Sequence, residues 1–297
     1  MLTLHVLASG SGGNAAVVED SSTGHGLLID CGISKKALME ACQSCRFDPR
    51  GIDGVLITHD HADHVKGIGV ALRGLDKLGC TPAIYLDPKV HQSLPRLQDD
   101  LAGRDLRWIS PGQSWKVGSI GVQAFATSHD AAASYGFRFD LQDCPNAAST
   151  QNTQVRSSNA NAQAGSGNAS AQTGARSIGF MTDTGVVTGS AHECLQDVDI
   201  LAIEANHDPD MLKRGPYPYP LKQRIASDKG HLSNQQSAQE LRSLLGNRLA
   251  QVVAMHVSQN NNLYELALSS LQQVLTQEGH PAVARVAFQS RPTSHHA

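Results

Sequence analysis

Apolar positions along the chain fall into short blocks of two kinds. Runs at residues 2–9 (LTLHVLAS), 26–32 (GLLIDCG), 54–59 (GVLITH), 83–87 (AIYLD), 120–128 (IGVQAFATS), 134–141 (SYGFRFDL), 177–183 (SIGFMTD), 199–205 (DILAIEA) and 251–257 (QVVAMHV) are compact and bounded by Gly, Asp or Ser, which predicts strands. Residues 34–45, 62–78, 233–246 and 263–277 instead carry apolar residues at helical spacing with polar faces between, which predicts helices. Strands and helices intermixed over this length predict an α/β layered sandwich.

One stretch fits neither pattern. Residues 143–176 are almost entirely Ala, Ser, Asn, Gln, Thr and Gly. Such a segment buries too little apolar surface to offset its ordering entropy, so a mobile insertion between two strands is expected there. It is not expected to link domains, because ligand-type residues lie on both sides of it. The 297 residues, 40% of them apolar, therefore predict one catalytic domain over 1–297 carrying a low-complexity insertion.

A formal charge of -3 lacks the strongly basic signature of many nucleic-acid binders, although bound metal ions would add positive charge that the sequence does not count. The start of the chain has no basic region followed by a long apolar core, and no run approaches the ~20 apolar residues of a membrane span. A soluble, cytoplasmic protein without membrane association is expected. Six cysteines in so long a chain do not form a disulfide scaffold, and the lone C-x-x-C of Cys42 and Cys45 has no second pair or nearby His to complete a zinc site.

The chemistry concentrates in LITHDHADHVKG, residues 56–67, where His59, His61 and His64 stand with Asp60 and Asp63 directly after a strand. His129, Asp183 and His256 also sit where strands run out, the edge at which open α/β sheets gather their sites. A catalytic zinc keeps about three protein ligands and one open position, so five histidines and two aspartates are too many for one ion. Two ions fit. Imidazole and carboxylate donors without thiolate allow zinc or manganese.

At these residues the sequence resembles the metallo-β-lactamase superfamily, whose hallmark is HDHADH as it stands here. The resemblance implies a four-layer αβ/βα sandwich with the site at one edge of two facing sheets. It implies that His59, His61 and His129 hold the first metal, that Asp63, His64 and His256 hold the second, that Asp183 bridges them, and that Asp63 counts among the catalytic residues. His61, where the redox branch of the superfamily carries glutamate, implies hydrolysis. LASGSGGN, SHDAAASYGF, MTDTG, IEANHD, YPYPLKQRIASDKGHLSN and HVSQNNN together resemble the YycJ (WalJ) group, bacterial relatives of RNase Z regarded as 5′-to-3′ exonucleases on DNA. The insertion at 143–176 departs from that group.

Further candidates surround this set. Glu204 follows a strand, and His231 precedes a helix for which Ser233 or Asn234 is a plausible cap. In RNase Z-like phosphodiesterases a Glu and a His so placed resemble an orienting carboxylate and a proton donor to the leaving oxygen, which is a poor leaving group unless protonated or metal-bound. Residues 213–229 hold five basic residues and one acidic one, so Lys222 and Arg224 are candidate phosphate contacts, with Tyr217 and Tyr219 as candidate stacking partners for bases. His207 is a candidate substrate contact or a loop brace. SGSGGN lacks the Lys-Ser/Thr of a phosphate loop and predicts a tight turn, with Ser11 and Asn14 as candidate substrate contacts. Asp30 is a candidate rear partner for a ligand histidine.

The expected activity is a dinuclear metal-dependent phosphodiesterase acting on nucleic acid, foremost a 5′-to-3′ exodeoxyribonuclease. The alternatives are an RNA nuclease, a thioester or lactone hydrolase of the same fold, and a non-catalytic metal-binding regulatory module. Glyoxalase-type members usually add a helical domain, for which the residues after His256 are too few. The large insertion of the RNA-degrading β-CASP nucleases has no room between Asp183 and His256.

Overall fold

A computed structural model describes residues 1–141 and 176–296 of the chain; the predicted insertion, apart from Arg176, lies outside the described residues. The first sheet is built from β1 (Leu2–Ala8), β2 (Ala15–Asp20), β3 (His25–Ile29), β4 (Ile52–Leu56), β5 (Ala83–Leu86) and β6 (Leu106–Trp108). The second takes β7 (Ser114–Val117), β8 (Ile120–Ala126), β9 (Tyr135–Leu141), β10 (Ser177–Met181), β11 (Ile200–Glu204), β12 (Gln251–Met255) and β13 (Val283–Val286). A last strand, β14 (Thr293–His295), returns to pair antiparallel with β1. The orders are β14-β1-β2-β3-β4-β5-β6 and β13-β12-β11-β10-β9-β8-β7. Each sheet has an antiparallel part and a parallel part, β3 to β6 in one and β10 to β13 in the other.

Ten helices are described: α1 (Lys35–Ser44), α2 (Ala62–Val65), α3 (Ile68–Asp76), α4 (Pro88–Ser93), α5 (Pro95–Leu101), α6 (Gly189–Leu195), α7 (Pro209–Arg214), α8 (Tyr219–Ile225), α9 (Asn234–Leu244) and α10 (Tyr264–Gln277). Three apolar clusters define the layers. Leu4, Val18 and Ile29 of the first sheet meet Val122, Phe137 and Val253 of the second. Leu38 of α1 and Leu72 and Leu75 of α3 cover the outer face of the first sheet with Val17, Leu28 and Val55. Leu195, Leu241 and Leu271 of α6, α9 and α10 cover the second with Leu201 and Val252. The result is the four-layer sandwich that the resemblance implied. Strands buried on both faces read as continuous apolar runs, as Ile200–Ile203 of β11 does, with every position of that strand buried.

The helix predicted over 62–78 is interrupted between α2 and α3. Gly67 donates its N–H to Cys31 O at 2.9 Å, and a Cβ there would stand 1.9 Å from Ile33 O. The chain turns under the Cys31–Ile33 loop and cannot continue its spiral. Strands β2, β6, β7, β13 and β14 were not among the predicted ones; β6 and β14 are only three residues long, too short to display a two-residue period. Among the described residues no helix is long and apolar enough to cross a membrane.

Candidate metal centre

The expected ligands converge. His59 and His61 lie in the turn from β4 into α2, Asp63 and His64 lie in α2 itself, His129 follows β8, Asp183 follows β10 and His256 follows β12. Two of these ends leave their strand with a left-handed residue, Asp183 (φ 54°) and His256 (φ 52°), and Asp30 after β3 does the same (φ 56°). Residues other than glycine seldom take that backbone, and each instance costs of order 1 kcal/mol or more. The turn swings each side chain off the sheet toward a shared point.

His59, His61 and His129 form one group of ligand atoms, and Asp63, His64 and His256 form another; His59, His64 and Asp183 form a third that joins them. The spacing is informative. Across a tetrahedral ion with bonds of 2.0–2.1 Å, neighbouring donors stand ~3.3–3.4 Å apart. Here His129 Nε2 lies 3.1 Å from His61 Nδ1, Asp183 Oδ2 3.3 Å from His64 Nε2, and Asp63 Oδ2 3.5 Å from His256 Nε2. His59 Nε2, Asp183 Oδ2 and His256 Nε2 are buried without a hydrogen-bond partner, which is costly unless a cation engages them. The donor set fits a pair of divalent ions.

The other imidazole nitrogens are held from behind, which fixes ring orientation. His64 Nδ1 is 2.7 Å from Asp30 Oδ2, His129 Nδ1 3.0 Å from Gly230 O, His59 Nδ1 2.9 Å from Thr58 Oγ1, and His256 Nδ1 3.1 Å from Glu204 Oε1. Thr58 Oγ1 donates in turn to Asp30 Oδ2 at 2.7 Å. Burial and the neighbouring His64 keep His59 far below its ordinary pKa, so it is neutral, as a ligand must be. Burial alone would lower His64 as well, but the carboxylates of Asp183 and Asp30 outweigh it and raise it to about 10. A cation placed between these groups would take over the role of that proton, so metal binding and proton release are linked.

Glu204 is completely buried and stands at the centre of a second network. Its Oε1 lies 2.7 Å from His231 Nδ1 as well as near His256, and its Oε2 accepts from the N–H groups of Thr184 (3.0 Å) and Leu232 (3.2 Å). Burial would raise its pKa, yet His231 and His256 bring it down to about 2. Ser233 caps α9 in a reciprocal capping box with Gln236, which fixes the segment that carries His231. His231 is half-buried at the edge of a cleft of about 260 Å³ whose lining includes His61, Asp63, Asp183, Arg224 and Ser11.

The remaining candidates divide. Arg224 reaches this cleft and pairs with Asp130. Lys222 does not line it; its Nζ donates to Lys213 O at 2.8 Å on the other side of α8, in a separate cleft that His207 also lines. Asn14 is buried against ligands, its Nδ2 3.3 Å from Asp63 Oδ2 and 3.0 Å from His64 Nε2, while its Oδ1 accepts from Gly10 N–H. Asp130 was missed by sequence reasoning. Its Oδ1 lies 3.6 Å from His129 Nε2 and 3.8 Å from His61 Nε2, and its position directly after a ligand histidine was the available signal. Cys42 and Cys45 are free thiols at the C-terminal end of α1.

A beta-lactamase superfamily domain model matches residues 25–257. The chain belongs to the metallo-β-lactamase superfamily. It is 32% identical over 276 residues to the exodeoxyribonuclease WalJ of Streptococcus pneumoniae, covering 92% of this chain and 87% of that one. It is 30% identical over 278 residues to the exodeoxyribonuclease YycJ of Bacillus anthracis, covering 94% and 90%. The short form of human tRNase Z superposes with a TM-score of 0.61 at 16% identity, covering 98% of each chain, and so shares the fold. Family membership and the clustered His and Asp ligands make the chain a metal-dependent hydrolase.

Proposed function

We propose that this member of the superfamily is a dinuclear phosphodiesterase that hydrolyses nucleic acid, with DNA shortened from its 5′ end as the substrate, and that zinc or manganese fills its two sites. The single observation that carries the reading is the Glu204–His231 pair beside the ligands, because an alkoxide leaving phosphorus needs such a proton donor and the thiolate of a thioester does not. The relatives named as exodeoxyribonucleases support it.

His59, His61 and His129 would hold one ion and Asp63, His64 and His256 the other, with Asp183 between them. Such a pair supplies a nucleophile at neutral pH and stabilises charge on phosphoryl oxygens. The chain's own groups do the rest. Asn14 and Asp30 hold His64 and Asp63 in place. Arg224, at the cleft, exchanges its contact with Asp130 for a phosphate oxygen. Glu204 accepts from His231 Nδ1, which leaves Nε2 as the nitrogen that carries a proton to the departing oxygen.

The test is to incubate metal-loaded protein with end-labelled DNA and RNA, each bearing a 5′-phosphate or a 5′-hydroxyl. Nucleotides shed from the 5′ end of DNA are expected. No cleavage of either polymer, together with turnover of a thioester or lactone, would overturn the reading.

A further inference from the structure

Helix α8 contains no buried residue and separates two clefts. Leu221, Arg224 and Ile225 line the cleft over the metal ligands. Tyr219, Lys222 and Gln223, with Ala226 at the helix end, line the other, a hollow of about 330 Å³ closed from the α7 side by Pro209, Leu212 and Lys213. Those two sets follow helical spacing, so opposite faces of one helix serve two spaces. Tyr217 and Tyr219 are divided in the same way, Tyr217 with the metal-side cleft and Tyr219 with the far one.

The far cleft has the chemistry of a nucleotide site. Tyr219 is 71% exposed, and its hydroxyl accepts from Gln223 Nε2 at 3.0 Å, so a large aromatic surface is held facing water. Leu212 and Pro209 give the hollow an apolar wall, while Lys213 and Lys222 have no ion-pair partner among the described residues. His207 completes the wall: it is buried, its Nδ1 has no hydrogen-bond partner, and burial brings its pKa down to about 4, so the ring is neutral. A planar base against Tyr219, with its backbone near two lysines, satisfies all of these features.

The position of His231 decides which nucleotide this is. The backbone N–H of His231 donates to Ile225 O at the end of α8, and that of Asn234 to His207 O, with a bridge between His207 and Ser233. The segment from His231 to Asn234 thus runs between the metal-side cleft and the wall of the far one. A proton donor stands on the side of the leaving oxygen. We infer that the cleft between α7 and α8 binds a nucleotide of the strand on the leaving-oxygen side of the cut bond, with its base on Tyr219; this rests on the nuclease reading above.

Base and ring can be tested as a pair with oligodeoxynucleotides that each lack one base, at successive positions on either side of the first bond cut. The leaving-side nucleotide is identified from the products, because it emerges without the phosphate. In the unaltered protein, loss of one particular leaving-side base should slow first cleavage by about 5- to 100-fold, the range of one base-aromatic stack. Tyr219→Ala should lose the same factor on the complete strand and no more than about twofold further when that base is missing, with Tyr219→Trp restoring the difference. Losses that multiply independently, or coupling of Tyr219 to the opposite base, would overturn the subsite. Tyr219 is exposed, so its variants should keep the fold, and unchanged thermal melts would establish this. Failure of the nuclease reading shows separately, as absence of cleavage by the unaltered protein, and the subsite falls with it.

Discussion

Gly32→Ala is the perturbation for which the structure gives the clearest magnitude. A Cβ on Gly32 would stand 1.6 Å from Asp63 O and 2.2 Å from Asp63 C. Non-bonded carbon and oxygen do not come closer than about 3.0 Å, so one segment must retreat by at least about 1.4 Å. The Asp63 loop cannot move alone, because Asn14 N–H donates to Asp63 O at 2.8 Å and Gly32 N–H to Asn14 O at 2.8 Å. Metal ligands tolerate errors of only ~0.2 Å, so the Asp63, His64 and His256 site should lose its ion while His59, His61 and His129 keep theirs. We expect close to two ions per chain in the unaltered protein and close to one in Gly32→Ala, with second-ion affinity down by ~100-fold or more. Elemental analysis of saturated, gel-filtered protein measures the first quantity and calorimetric titration the second. Gly189→Ala is the control, since a Cβ there meets nothing within 4 Å. A folded Gly32→Ala protein that still binds two ions with unchanged affinity would refute the reasoning.

Other outcomes follow from the same contacts. Asp183→Ala should uncouple the two sites, so that saturation with zinc or manganese, followed by calorimetry, shows two independent and weaker events instead of a linked pair. Saturating metal at about 100 times its dissociation constant should raise stability by ~2.7 kcal/mol per occupied site, read as a higher Tm that a chelator reverses. His231→Ala should keep both ions and lower turnover by ~10²–10⁴-fold on a poor leaving group, with a much smaller loss on a nitrophenyl phosphodiester; equal losses would assign His231 to binding. Burial alone would lower the pKa of His5, but contacts with Cys45 and Glu19 outweigh it and raise it to about 9 from 6.5. Because the folded value is the higher one, this stabilisation, ~3 kcal/mol at most, is complete below pH 6.5 and lost as pH rises through 9. The Tm gap between the unaltered protein and Glu19→Gln should accordingly close between pH 6.5 and 9.

The candidate metal ligands were legible as a cluster because four of them fall within six residues and the others punctuate apolar runs. Such punctuation marks strand ends even where double-sided burial has erased the two-residue period. Asp30 was legible in the same way. Lys222 was not placed correctly beside Arg224, because residues two apart on a helix face different directions, and a run of charges in sequence is then not a patch in space. The break after α2 was hidden for a different reason: Gly67 is needed for close approach to Ile33 O, a tertiary contact that local helical periodicity cannot display. Glu204 was legible as a partner of His231, but its second contact, with His256, depends on β11 and β12 lying side by side.

That second contact changes how the site should be understood. One buried carboxylate oxygen contacts both His231, the proposed proton donor, and His256, a candidate metal ligand, so the two share a single anchor. Glu204 is itself fixed by two backbone N–H groups, Thr184 directly after Asp183 and Leu232 directly after His231. Movement of any of these residues is therefore transmitted to the others through hydrogen bonds of about 3 Å. The left-handed turns at Asp183 and His256 sit within the same network; Asp and His take that backbone more readily than most side chains, yet it is uncommon for any residue but glycine. Local preference is overridden where the two sheets and the ligands jointly fix the geometry, the pattern expected where strain is stored for function. Binding of the ions would engage the orphaned atoms of His59, Asp183 and His256, and so offset the cost of holding these strand ends in place.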